Sequence, residues 1–176
     1  MIFTETRLEG VFILDIERLE DERGFFARSW CEREFINNQI KTRWVQANIS
    51  FNLKKGTLRG MHYQASPYEE DKLVRCTRGM IYDVIADLRS NADTYKQWLA
   101  VKLSAENRRM VYIPKGFAHG FLTLEDNTEI FYLMSEFYAP GYGRGFRWND
   151  PAFGIHWPEK VIVVSGQDQR YPDFTR

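Results

Sequence analysis

The chain has 176 residues, and its 24 basic and 24 acidic side chains cancel to a net charge of zero. This length suits one domain with a substantial buried core, so we expect residues 1–176 to form a single domain. The charge balance gives no global attraction toward nucleic acid or a membrane surface. The sequence contains no apolar run near the ~18 residues of a membrane span, and its N-terminus does not resemble a signal peptide.

The cysteine and aromatic contents narrow the class of protein further. The two cysteines, Cys31 and Cys76, form neither a CxxC motif nor a disulfide framework, so we expect free thiols and a cytoplasmic protein. Aromatic residues make up 15% of the chain. Because aromatic side chains suit half-buried strands, ligand rings and interfaces, this content favours a β-rich protein that binds a ligand or forms a dimer.

From the N-terminus onward, the apolar residues repeat mostly with a period of two, which is typical of strands. Gly10–Ile16 and Arg23–Arg28 are the first predicted strands, and Cys31–Asn38 is the predicted helix, with Ser29 as its candidate cap. The remaining predicted strands are Trp44–Phe51, Thr57–Gln64, Lys72–Thr77, Met80–Leu88, Trp98–Ser104, Met110–Pro114, His119–Leu124, Glu129–Glu136 and Val161–Val164.

A spacing of about ten residues between these strands predicts an all-β sandwich or barrel. A small barrel of this kind binds ligands at its mouth or in its interior. Because inward-facing positions alternate along a strand, we expect Arg59, Met61 and Tyr63 to share one face. His62 and Gln64 then share the other face.

His62 and the cations near it are the first candidates for chemistry. A lone strand histidine is more often structural than catalytic. However, Arg59 and Lys72 would crowd the same cavity, and a barrel does not bury cations without an anionic partner. A substrate phosphate would suit Arg59, and a developing enolate would suit Lys72, which indicates removal of a proton next to a carbonyl by His62.

The second histidine segment raises the question of a metal. His119 follows a turn at Pro114 and resembles half of the metal-binding pattern of cupins. The other half would be His-x-His with a later glutamate, whereas this chain has Gln64 two residues after His62. Iron and zinc sites are usually filled by histidine with carboxylate, so we expect no metal here. A metal site made of His62, Gln64 and His119 remains the alternative.

Asp168 and Tyr132 each have a simple structural interpretation and a functional one. Asp168 is either a solvated turn residue or a carboxylate that orients a histidine. Tyr132 shares a face with Ile130 and Met134, which is typical of packing residues. Beside a base on the opposite wall, its hydroxyl becomes a candidate general acid.

Arg23 and Arg59 are either surface charges or ligands of a diphosphate. The planar fork of arginine binds two phosphate oxygens at once, which a lysine cannot do. Arg23 also stands shortly before Phe25 and Phe26. This arrangement suits a ligand that combines phosphate with a ring, such as a nucleotide.

Several motifs, in the same order along the chain, resemble the dTDP-4-dehydrorhamnose 3,5-epimerase family. They are Gln46–Ser50, Gly56–Gln64, Lys72–Arg75, Asp83–Arg89, Ile113–Phe121 and Trp148–Pro151, and the likeness extends from Asp21 to Asp168. The resemblance implies a jelly-roll barrel of the cupin type, without a metal or other cofactor, that is usually a homodimer. It also implies a nucleotide-linked 4-keto-6-deoxyhexose as the substrate.

Carried over by position, the resemblance assigns a role to each candidate residue. His62 resembles the base that removes the proton next to the C4 ketone, with Asp168 as its partner. Lys72 resembles the cation that stabilises the enolate on O4, and Tyr132 the acid that protonates the opposite face. The implied substrate contacts are Arg23 and Arg59 for the diphosphate, Gln46, Asn48 and His119 for the sugar, and Phe26 and Tyr138 for the sugar and nucleobase.

The sequence leaves some choices open. Gly143 stands where many relatives have glutamate near the nucleobase, so dTDP is favoured while CDP or another nucleotide remains an alternative. We expect an epimerase that acts at C3 and C5. The alternatives are an enzyme that acts at one of these carbons, a metal-dependent cupin enzyme, and a protein that binds a nucleotide sugar without chemistry.

Overall fold

The protein, described here by a computed structural model over residues 1–175, consists mainly of strands. In that range the strands are β1 (Ile2–Glu5), β2 (Phe12–Asp15), β3 (Arg18–Asp21), β4 (Gly24–Ala27), β5 (Gln46–Asn52), β6 (Thr57–Gln64), β7 (Lys72–Arg78), β8 (Met80–Asp87), β9 (Trp98–Ser104), β10 (Met110–Ile113), β11 (Phe117–Thr123), β12 (Thr128–Met134), β13 (Gly143–Gly145) and β14 (Val163–Val164). The helices are α1 (Glu32–Asn37) and α2 (Gly166–Arg170). Neither helix has the length and apolar character that a membrane crossing requires.

Two large sheets face each other across the main core. The first has the strand order β1-β2-β10-β7-β12-β5, and the second has the order β13-β6-β11-β8-β9, with β14 parallel to β6. Side chains from both sheets meet in one apolar cluster, which includes Val74 and Ile130 from the first sheet and Ile85 and Phe121 from the second. This architecture confirms the predicted all-β jelly-roll barrel.

A bulge in β6 determines which of its side chains face the interior. Arg59 and His62 both pair with β11, but between them Gly60 and Met61 stand opposite Gly120 alone. An extra residue of this kind shifts the alternation of a strand by one position. As a result, Arg59 and His62 line the same interior cavity.

The prediction that Arg59 shares a face with Met61 and Tyr63 was therefore wrong. Met61 packs instead in a separate apolar cluster with Phe146; Tyr63 packs against this cluster and also borders the cavity that contains Arg59. The prediction assumed an unbroken period of two, and a single inserted residue reverses the facing of everything beyond it.

Glycine is required at the bulge because two backbones approach closely there. Gly60 has a φ of +142°, and a Cβ at this position would lie 2.6 Å from the Cα of Gly120. Only glycine combines such a backbone conformation with contact of this kind. The two glycines thus allow β6 and β11 to stay paired across the bulge.

The helices differ from prediction in their ends and in number. The predicted helix Cys31–Asn38 corresponds to α1, but Ser29 is not its cap, because Cys31 takes the N-cap position without a side-chain hydrogen bond. Helix α2 was not predicted, nor were strands β1, β3 and β13, because segments of three to five residues show too little periodicity.

We expect Gly60→Ala to lower the free energy of unfolding by about 2 kcal/mol or more, because the added methyl group overlaps the backbone of β11. Urea unfolding measures this change. Gly143→Ala is the matched control, since a Cβ there has no neighbour within 4 Å. Equal stability of the two variants would show that the close approach at the bulge is not a constraint.

Candidate active site

Two adjoining cavities open between the sheets. Their volumes are about 620 Å³ and about 340 Å³. Arg59 and His62 from β6, Lys72 from β7 and Tyr132 from β12 line both of them. The facing sheets thus bring a base, two cations and a phenol to one space, which we call the site cavity.

Nine of the eleven site residues predicted from the sequence line the site cavity. The larger part also contains Asp168, Gln46, Asn48 and Tyr138, and the smaller part contains His119. Gln64 lines the larger part too, so it shares the cavity with His62, as predicted. The two predicted residues that lie elsewhere are Arg23 and Phe26.

His62, which is partly exposed, pairs with the buried Asp168. The Nε2 atom of His62 lies 2.7 Å from Oδ1 of Asp168, whose exposed fraction is 3%. The other carboxylate oxygen accepts a hydrogen bond from the backbone N–H of Gly60 at 3.3 Å. Helix α2 positions this carboxylate at its first turn, where the Asp168 N–H donates to the hydroxyl of Ser165, the N-cap residue.

The environment of Asp168 keeps its carboxyl group ionised. Burial raises the pKa of Asp168, but the hydrogen bond with His62 and the Gly60 N–H lower it more, so the pKa lies below its usual value. An ionised carboxylate only accepts hydrogen bonds, so Nε2 of His62 must carry the hydrogen between them. The lone pair for accepting a proton is then on Nδ1.

Lys72 is held by a carboxylate that the sequence-based prediction of the site did not include. The Nζ atom of Lys72 lies 3.0 Å from Oε1 of Glu70, and both side chains are largely buried. Glu70 also lines the larger part of the site cavity. The sequence signal was the i, i+2 spacing of Glu70 and Lys72, which in a regular strand places two side chains on one face.

Tyr132 retains its proton in this setting. Burial raises the pKa of the Tyr132 hydroxyl; Arg59 opposes this effect, and the negative charge of Glu70 adds to it. Tyr132 stands on β12, in the sheet opposite the one that carries His62. A protonated phenol across the cavity from a histidine is suited to general acid catalysis.

Polar side chains around these groups are held by neighbouring residues. The Nε atom of Arg59 donates to Oδ1 of Asn52 at 2.7 Å, and Asn52 is buried. Gln46 donates from Nε2 to Oδ1 of Asn48 at 3.0 Å. The Gln46 amide oxygen accepts a hydrogen bond from the backbone N–H of Tyr138. The ring of Tyr138 is exposed at the mouth of the cavity.

His119 belongs to a second histidine–carboxylate pair. Its Nε2 atom lies 2.8 Å from Oδ2 of Asp83, which is fully buried. His119 also faces His62 directly in the pairing of β11 with β6. Asp83 was missed by the site prediction, and its sequence signal was a charged residue in the middle of the otherwise apolar strand β8, which ends at Asp87.

The residues of the alternative metal site have defined partners. Nε2 of His62 and of His119 bond to Asp168 and Asp83, and the Gln64 amide oxygen accepts from the backbone N–H of Ala139 at 2.8 Å. Within residues 1–175 there is no group of three or more His, Cys, Asp or Glu side chains arranged to hold a metal ion. The Gln64 oxygen is thus engaged by the backbone, and the Nδ1 lone pair of His62 suits a general base.

Arg23 and Phe26 lie on the separate hairpin formed by β3 and β4. The Arg23 side chain is 84% exposed and pairs with Asp21 at 2.6 Å. Phe26 is 70% exposed. Neither residue lines the site cavity of its own chain.

Some residues of the site cavity gave no usable signal in the sequence. Tyr171 follows α2, and its ring centroid lies 5.8 Å from that of His62. Arg144 reaches the cavity because β13 pairs with the end of β6. Both lie in short C-terminal segments whose path across the cavity is set by tertiary contacts.

Comparisons with known proteins agree with this geometry. Residues 5–176 match the sequence profile of the dTDP-4-dehydrorhamnose 3,5-epimerase family. A protein of that name from Methanothermobacter thermautotrophicus is 44% identical over 172 residues, which cover 96% of this chain and 92% of the relative.

Two crystal structures extend the comparison. The Bacillus anthracis dTDP-4-dehydrorhamnose 3,5-epimerase with TDP and PPi bound has a TM-score of 0.95 and 37% identity, covering 98% of this chain and 99% of that one. The Legionella pneumophila dTDP-6-deoxy-D-glucose-3,5-epimerase, in complex with dTDP-4-keto-L-rhamnose, has a TM-score of 0.90 and 33% identity, covering 99% of each chain. The chain therefore belongs to the dTDP-4-dehydrorhamnose 3,5-epimerase family.

Proposed function

We propose that the protein epimerises a nucleotide-linked 4-keto-6-deoxyhexose at C3 and C5, converting dTDP-4-dehydro-6-deoxy-D-glucose to dTDP-4-dehydro-L-rhamnose. The observation that carries the proposal is the joint presence of the His62–Asp168 pair, Lys72 and Tyr132 in one cavity. The relatives are named for this activity, and one was solved with dTDP-4-keto-L-rhamnose.

Proton removal is the first step of the proposed reaction. His62 takes the proton from the carbon next to the C4 ketone through Nδ1, because Asp168 occupies Nε2. The electron pair of the broken C–H bond moves into the ring and makes an enolate on O4. Asp168 stabilises the imidazolium that forms, which is the role of the carboxylate in a Ser-His-Asp triad.

The enolate and its reprotonation require two further groups. A hydrogen next to a ketone is weakly acidic, so the developing oxyanion needs a charge partner, and we assign that role to Lys72. Tyr132 then donates its proton to the opposite face of the carbanionic carbon, which inverts the configuration. A base acting alone would return the proton to the face from which it came.

Arg59 and Tyr138 are proposed to hold the nucleotide portion. The Arg59 guanidinium lies in the site cavity and suits the diphosphate, while the exposed Tyr138 ring at the mouth suits the nucleobase. Gly143 lines the same region without a side chain to read the base. We propose dTDP because the Bacillus anthracis structure contains TDP, and competition between dTDP and CDP measures the preference.

In heavy water, the wild-type protein should incorporate deuterium at C3 and C5 of dTDP-4-keto-6-deoxyglucose, and His62→Ala should abolish this incorporation. NMR spectroscopy of the sugar measures it. The matched control is His156→Ala, because His156 is exposed and lies outside the site cavity. Label at one carbon would show a single-site epimerase, and label that persists without His62 would rule out His62 as the base.

Asp168→Asn should lower kcat by about 100-fold or more, because the histidine loses the group that sets its tautomer and stabilises its cation. Asp93→Asn, at an exposed position, is the control. A kcat for Asp168→Asn within a few-fold of wild type would contradict the pairing.

The same variant has an expected pH signature in stability. The pKa of Asp168 is lowered in the folded protein, so its carboxylate stabilises the fold above the unfolded value of about 3.9. That contribution is lost as the pH falls through the lower folded pKa. The difference in unfolding free energy between wild type and Asp168→Asn should therefore be constant above about pH 5 and shrink below about pH 4.

We further propose that the protein is a homodimer in which Arg23 and Phe26 enter the site cavity of the partner subunit. The β3–β4 hairpin carries exposed apolar side chains, Leu19 and Phe26, at 69% and 70% exposure. Apolar exposure of this kind on a separate hairpin is typical of an interface. The family resemblance assigns both residues to substrate binding, and a second copy reconciles that role with their position.

Co-expression of Arg23→Ala and His62→Ala chains should recover about a quarter of wild-type activity, because random pairing gives hybrid dimers with one intact site. Each variant alone should be nearly inactive. A chain carrying both substitutions, co-expressed with Arg23→Ala, is the control and should recover nothing. Full activity of Arg23→Ala by itself would remove Arg23 from the site.

A reducing compartment such as the cytoplasm is the proposed location. Both cysteines are free, with Cys76 buried, and burial raises the pKa of its thiol to about 11. A thiol in this state is unreactive. The free cysteines support the assignment, because neither contributes a disulfide to the fold.

A further inference from the structure

The ion pair between Glu70 and Lys72 is unusual because the site cavity holds both members away from water. The side chains of Lys72 and Glu70 are 12% and 3% exposed, and Nζ lies 3.0 Å from Oε1. The second carboxylate oxygen, Oε2, is buried and has no hydrogen-bond partner among residues 1–175. Lys72 is therefore the group that compensates the buried charge of Glu70, and the two charges are strongly coupled.

The loop between β6 and β7 fixes Glu70 in place. The next residue, Asp71, donates from its backbone N–H to the Ser135 hydroxyl at 2.7 Å. Its carboxylate accepts hydrogen bonds from Thr42, Tyr112 and the backbone N–H of Lys115. These hydrogen bonds anchor the loop at Asp71. The Glu70 carboxylate next to it therefore has little freedom to move away from Lys72.

The other charged and titratable groups that line the site cavity come from several elements. They are Arg59, His62 and Tyr63 on β6, His119 on β11, Tyr132 on β12, Arg144 on β13, Asp168 on α2, and Tyr138 and Tyr171 in the connecting segments. Arg59, Arg144 and the imidazolium that His62 becomes repel an ammonium. Asp168 is already bonded to His62. Glu70 is thus the carboxylate in contact with Lys72, and it opposes the repulsion.

We propose that Glu70 is a positioning residue for the reaction, which holds the Lys72 ammonium at the keto oxygen. This inference rests on the proposed function, because it assumes that Lys72 stabilises the enolate. An ammonium stabilises an oxyanion only when it is held close to it, so the contact with Glu70 keeps Lys72 where it can act.

The test compares Glu70→Gln with wild type and with Glu69→Gln. Glutamine keeps the length and the hydrogen-bond acceptor of Glu70 but removes its charge, whereas Glu69 is an exposed neighbour outside the site cavity. For E70Q we expect kcat at neutral pH to fall tenfold or more while KM stays within about threefold, because a displaced ammonium loses its contact with the charge that develops in the transition state. E69Q should leave both unchanged.

A second measurement does not depend on activity. In protein labelled at lysine Cε and Nζ, NMR relaxation at one fixed pH follows the mobility of the Lys72 ammonium, and a Lys72→Met sample assigns its signal. The Lys72 side chain should become more mobile in E70Q, because it loses the contact with Glu70, and should be unchanged in E69Q.

The outcomes separate the two proposals. Absence of deuterium exchange in the wild type would defeat the proposed function, while the NMR relaxation would still test the pair. Active wild type with unchanged kcat and unchanged Lys72 mobility in E70Q would overturn the positioning role. A lower melting temperature with both quantities unchanged would also overturn it, since that result indicates a structural residue.

Discussion

Charged groups in the space between two apolar sheets impose the central constraint on this molecule. Moving an isolated ion from water into such a space costs several kcal/mol, so each buried charge requires a partner, whereas the exposed Arg59 does not. The site cavity satisfies this requirement with local pairs. Asp168 bonds to His62, and Glu70 bonds to Lys72. This requirement explains the positions of helix α2, which carries Asp168, and of the β6–β7 loop, which carries Glu70.

The bulge in β6 connects the fold to this chemistry. Without the extra residue, Arg59 and His62 would face opposite sides of the sheet, and the cavity would contain either the cation or the base. The contact between Gly60 and Gly120 permits the bulge, and the freed N–H of Gly60 is used by Asp168. The bulge therefore turns Arg59 and His62 to the same side of the sheet and provides a hydrogen bond to Asp168.

The sequence predicted the β class and the central strands well because a long alternation of apolar and polar residues indicates which side chains are buried. Strands β6 and β9 begin and end at the predicted residues, Thr57–Gln64 and Trp98–Ser104. Short segments carry no such signal. Helix α2, which places Asp168, has five residues, and its formation depends on the Ser165 cap and on packing against β6.

The candidate site was also predicted only in part. Motif resemblance identified His62, Lys72, Tyr132 and Asp168, which do meet in one cavity. The facing of Arg59 was mispredicted because a bulge is invisible to a period-two pattern. Glu70 and Asp83 were missed because a partner carboxylate is recognised by its distance to a side chain, and sequence separation does not give that distance.

The contacts of Lys72 and Arg59 also give these two cations of the cavity different electrostatic states before a ligand binds. Lys72 is neutralised by Glu70 before a ligand arrives, whereas Arg59 is bonded to the neutral amide of Asn52 and, over the described residues, joins no ion pair. A dianionic diphosphate is attracted most strongly to the cation whose charge is not compensated. In the proposed reaction, Arg59 therefore anchors the substrate in the ground state, and Lys72 meets a negative charge that develops only when the proton leaves. On this proposal the separation directs the charge of Lys72 to the transition state, where stabilisation accelerates the reaction.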